Sequence, residues 1–253
     1  MKITPEGWLE AVEEGLPAVT RAPSVRTTGL DSPKPLGIVW HWTGGPALGP
    51  AYAAALADEI RTFDPTRDRS ASWHVLVAKN GRIIQSVPFT KGSWHVGRPG
   101  RIGAKPVKVN GGWDATAWPG TGGKLFGNIN RCTVGVELEN SGRLVKVGNQ
   151  FACWPFYVDP HKPDSGLDPH YVIPAERAAG PIDGVFYDGF PPAQIAAATR
   201  LLQTLAVTYG WTRDVSAYTH FQFDPTRRED AGPVWMEQVL PGMLDSVYGK
   251  EVG

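Results

Sequence analysis

Three residues able to hold a metal stand where the chain must turn. His41 stands next to last in the apolar run LGIVWHW, which Thr43, Gly44 and Gly45 follow. His220 follows VSAYT and opens the segment THFQFDPTRREDAGP, in which Asp230 lies between Pro225 and the pair Gly232-Pro233. Catalytic zinc takes three protein ligands from His, Asp, Glu or Cys and leaves a fourth position for water. His41, His220 and Asp230 would supply that set, and strand ends facing loops are where sites are usually built. On residue types alone, a charged turn solvated by water explains the last segment more simply, because any three such residues can be gathered from one chain.

The elements that would position these residues can be read from patterning. Leu36 to Trp42 is a short continuous apolar run and predicts a buried strand, stopped by Gly44, Gly45 and Pro46. Trp73 to Ala78 and Arg82 to Val87 flank Asn80-Gly81 and predict a hairpin. Thr133 to Glu139 predicts another strand, on which Gly135, Glu137 and Glu139 share a face. VSAYT predicts the strand that delivers His220.

Helices are expected from Thr4 to Gly15, over Ala51 to Phe63, and over PPAQIAAATRLLQTLAVTYG. The last places Ile195, Ala198, Leu202, Leu205 and Tyr209 on one face and stops at Gly210. An amphipathic segment follows Pro233. The order predicts a single α/β domain over residues 31–253, with a mixed central β-sheet flanked by helices, behind an N-terminal helix and connector over 1–30. Gly97 to Gly127 and Ser141 to Pro192 show little periodicity and predict two long loop insertions, near 97–127 and 141–192.

Composition narrows the partners. Of 253 residues, 42% are hydrophobic and 20% charged, which is globular, while 30 Gly and 23 Pro predict a loop-rich chain. Lys plus Arg (25) equals Asp plus Glu (25), so no net field draws in nucleic acid or an anionic membrane. Cys132 and Cys153 are expected to be reduced. The N-terminus lacks the apolar run of a secretory signal, and no stretch approaches the ~20 apolar residues that span a bilayer. The chain is therefore expected to be synthesised in the cytoplasm without a signal peptide.

Four segments in order, IVWHWTGG, SWHVLVAKNGRIIQSVPFTKGSWHVG, NRCTVGVELEN and HFQFDPTRREDAGP, resemble the zinc-dependent N-acetylmuramoyl-L-alanine amidases of type 2. That superfamily includes anhydromuramyl-peptide amidases, phage lysins and peptidoglycan recognition proteins. The resemblance covers about Gly37 to Pro233 and implies Zn2+ held by His41, His220 and Asp230. It implies Glu137 as the group acting on water and Arg228 as the basic residue two places before the aspartate. Relatives usually carry Lys there, and Arg keeps the charge with a different reach. Some short lysins carry a Tyr near the hairpin histidine, whereas this chain has Trp73, which cannot exchange a proton.

The same resemblance places His95 beside the substrate groove, and Trp42, Trp73 and Trp94, which fall near the motifs, offer aromatic faces for sugar or peptide. Trp113 and Trp118 are further aromatics of the first insertion, and Arg98 or Arg101 could pair with stem-peptide carboxylates. His74 is expected to be a core or supporting residue. The implied reaction is hydrolysis of the amide between N-acetylmuramic acid and L-alanine in peptidoglycan or muropeptides, performed as a phage or prophage endolysin with a holin for release. The alternatives are a cytoplasmic anhydromuropeptide recycling amidase, a peptidoglycan-binding module without activity, and a zinc peptidase of the stem peptide.

Overall fold

Gly37–Trp42 and Thr133–Leu138 are mostly apolar, and all but Trp42 is buried, as strands covered on both faces must be. They pair in parallel through all six residues, from Gly37 opposite Thr133 to Trp42 opposite Leu138. This computed structural model describes residues 1–11, 19–45, 71–96, 129–153, 172–223 and 228–250.

In chain order the strands are β1 (Lys2–Ile3), β2 (Leu9–Glu10), β3 (Val19–Arg21), β4 (Gly37–Trp42), β5 (Val75–Val77), β6 (Ile83–Gln85), β7 (Thr133–Leu138), β8 (Arg143–Val147), β9 (Gln150–Cys153), β10 (Val172–Ile173), β11 (Ala178–Ile182), β12 (Val185–Asp188) and β13 (Tyr218–Thr219). Helices are α1 (Pro192–Tyr209), the single turn α2 (His220–Phe223) and α3 (Leu240–Tyr248), the last preceded by wide π-type turns over Val234–Val239.

The main sheet has the order β13-β4-β7-β5-β6-β3. Only β5 and β6 run antiparallel, as the hairpin signal at Asn80-Gly81 requires; the other neighbours are parallel, so the sheet is mixed as expected. Because side chains alternate across a strand, the register sorts residues by face. Trp40, Val136 and Val75 form one row. Trp40 packs on Trp235 with ring centroids 5.1 Å apart, and Phe190 meets the same ring at 5.0 Å. His41, Glu137 and Leu76 form the next row and leave the sheet on the opposite face.

Helix α1 buries Ala197, Ala198, Leu201, Leu202, Leu205 and Ala206 in the core shared with α3. Its first turn is pinned by Gln194, whose Nε2 donates to the carbonyls of Val77 and Glu139. Ile195 and Tyr209, expected on the buried face, are only partly covered at its margin.

Two expectations are corrected. Residues 4–11 are not helical. Gly7 N–H donates to Thr4 O and Thr4 N–H to Trp8 O, so the Thr4-Pro5 signal starts a turn joining the antiparallel pair β1 and β2. Gln85 then holds this pair by accepting from Leu9 N–H and donating to Gly7 O. The connector also contributes β3, the edge strand beside β6.

The second insertion is not one long loop. Its described residues build a five-stranded antiparallel sheet, β10-β9-β8-β12-β11. Asp188 ties this sheet to the main one, because Lys79 Nζ, between β5 and β6, lies 3.0 Å from its Oδ2, which Arg177 Nη2 also holds at 2.6 Å from within the insertion. The helix expected over Ala51 to Phe63 and the first insertion, with Arg98, Arg101, Trp113 and Trp118, lie outside the described residues. Cys132 and Cys153 are buried free thiols.

Candidate metal centre and active site

The end of β4, the start of α2 and the turn before Val234 converge on one point. His41 Nδ1 lies 3.1 Å from His220 Nδ1 and 3.1 Å from Asp230 Oδ2, and His220 Nδ1 lies 3.0 Å from the same oxygen. Parallel pairing of β13 with β4 places Thr219 opposite Trp40, so the next residue, His220, emerges beside His41. The backbone closes the triangle, because Phe221 N–H donates to Asp230 O at 2.7 Å. All three residues are at least 95% buried.

A second row of polar residues lies behind His41. His41 Nε2 is 3.0 Å from His95 Nδ1, and His95 Nε2 is 3.1 Å from Thr133 Oγ1. His95 fits because position 135 is glycine: a Cβ there would lie 2.3 Å from His95 Cγ. Gly135 is in turn fixed by His74, whose Nδ1 accepts from Gly135 N–H and lies 2.8 Å from Ser93 Oγ. His74 Nε2 donates to Lys91 O. His74 is thus the buried support the sequence suggested. His95 was expected beside an open groove, but only 3% of it is exposed and it touches His41 instead.

Glu137, the register partner of His41, is 9% exposed. Arg228 is exposed, and its charge bears on both Glu137 and His41. Glu139 is fully buried and accepts from Lys79 N–H, so it braces the sheet. Trp94 is 42% exposed. Trp42 is half-buried: its ring faces Tyr187 at 6.3 Å and lies against Gly142 and Gly232. It therefore wedges the Asp230 turn against the second sheet, and the Arg143 to Glu229 ion pair at 3.2 Å bridges the same two segments.

Burial sets the charge states. It lowers His41 to about 4 despite the neighbouring Asp230 carboxylate, so the ring is neutral near pH 7, the form in which imidazole ligates metals. Burial also pushes His95 well below its ordinary value, helped by His41, His74 and His220. At Asp230 burial acts upward, but close contacts with His220 and His41 outweigh it and hold the carboxyl well below the carboxylate range. Burial raises Glu137 well above that range, reinforced by Asp230 and partly offset by Arg228.

The residues fit a zinc ion. Two imidazole nitrogens and one carboxylate oxygen are the donor types zinc selects, and three protein ligands are the number a catalytic site uses. Donor separations of 3.0–3.1 Å approach the edge of about 3.3 Å expected for a tetrahedron with bonds near 2.0–2.1 Å. Among the described residues this is the group of histidine, cysteine or acidic side chains placed to hold a metal.

A family model described as Amidase_2, N-acetylmuramoyl-L-alanine amidase, matches residues 31–233. No curated protein matches the chain. Among solved structures, the chain is similar to a selenomethionine derivative of AmpD, at 18% identity and a TM-score of 0.49, over 98% of this chain and 99% of that one. It is also similar to AmiD from E. coli, solved with anhydro-N-acetylmuramic acid-L-Ala-D-gamma-Glu-L-Lys, at 19% identity and a TM-score of 0.45, over 95% and 65% of the two chains. The catalytic domain of XlyA matches at 16% identity and a TM-score of 0.45, over 90% and 98%.

Proposed function

The chain belongs to the N-acetylmuramoyl-L-alanine amidase family and is an enzyme of that activity, and on that premise we propose that it works with a zinc ion held by His41, His220 and Asp230. The observation that carries this reading is the triangle of Nδ1, Nδ1 and Oδ2 atoms at 3.0–3.1 Å. When bound, zinc supplies a Lewis acid that polarises an amide carbonyl and activates water.

The chain's own residues supply the rest. Glu137 takes a proton from water as its oxygen adds to the lactyl carbonyl carbon, then gives it to the L-alanine nitrogen as the carbon–nitrogen bond breaks. Burial raises the proton affinity of this carboxyl, which suits a group that must both accept and return a proton. Arg228 donates to the carbonyl oxygen as negative charge builds there. Trp94 and Trp42 offer aromatic faces at the margin of the site, and His95 acts from behind His41.

The substrate we favour is the polymeric wall, attacked as a phage or prophage endolysin. Its support is the second sheet, which meets the site through Trp42 and Tyr187 and through Arg143 and Glu229, and so lengthens the surface along which a polymer could lie. On this reading the wall is the place of action and a holin the partner for release. Parallel assays on intact peptidoglycan and soluble anhydromuropeptide test it. Faster release of L-alanine-terminated stem peptide from the wall is expected, and cleavage of the soluble fragment alone would assign the recycling role.

A further inference from the structure

The hydrogen bonds behind His41 permit one assignment of protons. Ile129 O can only accept, and Thr133 Oγ1 lies 2.9 Å from it, so the single hydroxyl hydrogen points there. Thr133 Oγ1 must then accept from His95 Nε2. A neutral imidazole has one N–H, so His95 Nδ1 presents a lone pair, and His41 Nε2, 3.0 Å away, is the donor. His41 Nδ1 is thereby left as a lone pair facing Asp230 Oδ2 and His220 Nδ1.

We infer that His95 is the positioning residue of this enzyme: anchored by Thr133 and Ile129, it locks His41 in the tautomer whose Nδ1 can ligate. The inference rests on the metal reading proposed above. It explains the close approach of His41 Nδ1 to the Asp230 carboxylate, because two electron-rich atoms with no hydrogen between them need a cation to share. It also explains Gly135, which leaves the room the His95 ring fills. The reverse tautomer would set two lone pairs against each other at the 3.0 Å contact between His41 and His95. An oriented hydrogen-bond partner on the distal ring nitrogen fixes a ligand's geometry and raises its basicity.

The test is zinc affinity of the full chain, measured by competition with a chromogenic chelator, with thermal unfolding of the metal-free protein as a control for folding. His95→Phe keeps the ring volume and removes the acceptor, and should weaken zinc binding about ten- to a hundredfold. His95→Asn restores an acceptor at the Nδ1 place and should recover most of that loss, which a merely structural role for the ring would not predict. Thr133→Val is nearly isosteric and should weaken binding less than His95→Phe. It serves as the second variant should His95→Phe fail to fold. Nitrogen NMR of the zinc-loaded wild type should find the His41 proton on Nε2. Wild-type affinity in the folded His95→Phe and Thr133→Val variants, or a His41 proton on Nδ1, would overturn the inference and leave the metal reading standing. A wild-type chain that binds no zinc would remove both.

Discussion

His41 and Glu137 are register partners on adjacent parallel strands, so their side chains leave the main sheet together, on the face opposite the packing of Trp40 against Trp235. A proposed metal ligand and a buried carboxyl are therefore neighbours by strand geometry. Glu137→Gln keeps the shape and removes the proton-accepting group, so zinc content should stay at the wild-type value while kcat falls about 10²–10⁴-fold. Unchanged turnover in a folded, zinc-loaded variant would move the proton transfer to another residue.

Arg228 is exposed but acts electrostatically on both Glu137 and His41. If its guanidinium serves the developing oxyanion, Arg228→Ala should lower kcat about 10²–10³-fold with little change in KM. Arg228→Lys should recover part of the loss, since it keeps the charge but not the forked geometry. A change confined to KM would make Arg228 a substrate-binding residue.

The turn that carries Asp230 depends on a glycine. Gly232 has φ +76°, and a Cβ there would lie 2.1 Å from Cζ3 of Trp42. Gly232→Ala must displace the Trp42 wedge, at a cost of roughly 1–3 kcal/mol for overpacking. Urea unfolding should show that loss, and zinc affinity should fall with it as Asp230 shifts. Wild-type values for both would mean that Trp42 does not position the turn.

His74 gives the protein a dependence on acid. Burial lowers it to about 4, although its hydrogen bond to Lys91 acts the other way. Between about 4 and its ordinary value of 6.5 the unfolded chain binds this proton and the folded chain does not, so stability is lost as pH falls through that window. The loss is up to about 3 kcal/mol at 1.36 kcal/mol per pH unit. Urea unfolding of the metal-free protein at pH 7 and pH 4.5 measures it, and His74→Gln should reduce the difference. An equal pH dependence in that variant would assign the acid sensitivity to other groups.

The site was more legible than its surroundings. His41 lies one residue before the end of a buried strand, His220 directly follows another, and Asp230 lies between Pro225 and Gly232-Pro233, so local patterning offered all three as candidates, while the resemblance to the amidases chose them over a solvated turn. The second sheet was missed because its strands are only two to five residues long. Its signals were the turn pairs Gly148-Asn149 and Asp183-Gly184, types that join hairpin strands. Asp183 and Gly184 do adopt the positive φ such a turn needs, at 49° and 78°. The position of His95 behind His41 could not be read from its own segment. It follows from a missing side chain at Gly135, on a strand that the fold brings alongside.

On the proposed function, a zinc ion at His41, His220 and Asp230 drives cleavage of the bond between N-acetylmuramic acid and L-alanine. Mass spectrometry of muropeptide digests made with zinc-loaded protein, chelator-stripped protein and stripped protein resupplied with zinc tests it most directly. Stem peptide with a free N-terminal L-alanine is expected in the first and third digests and none in the second. Equal release by the stripped protein, or fragments cut within the stem peptide, would contradict it.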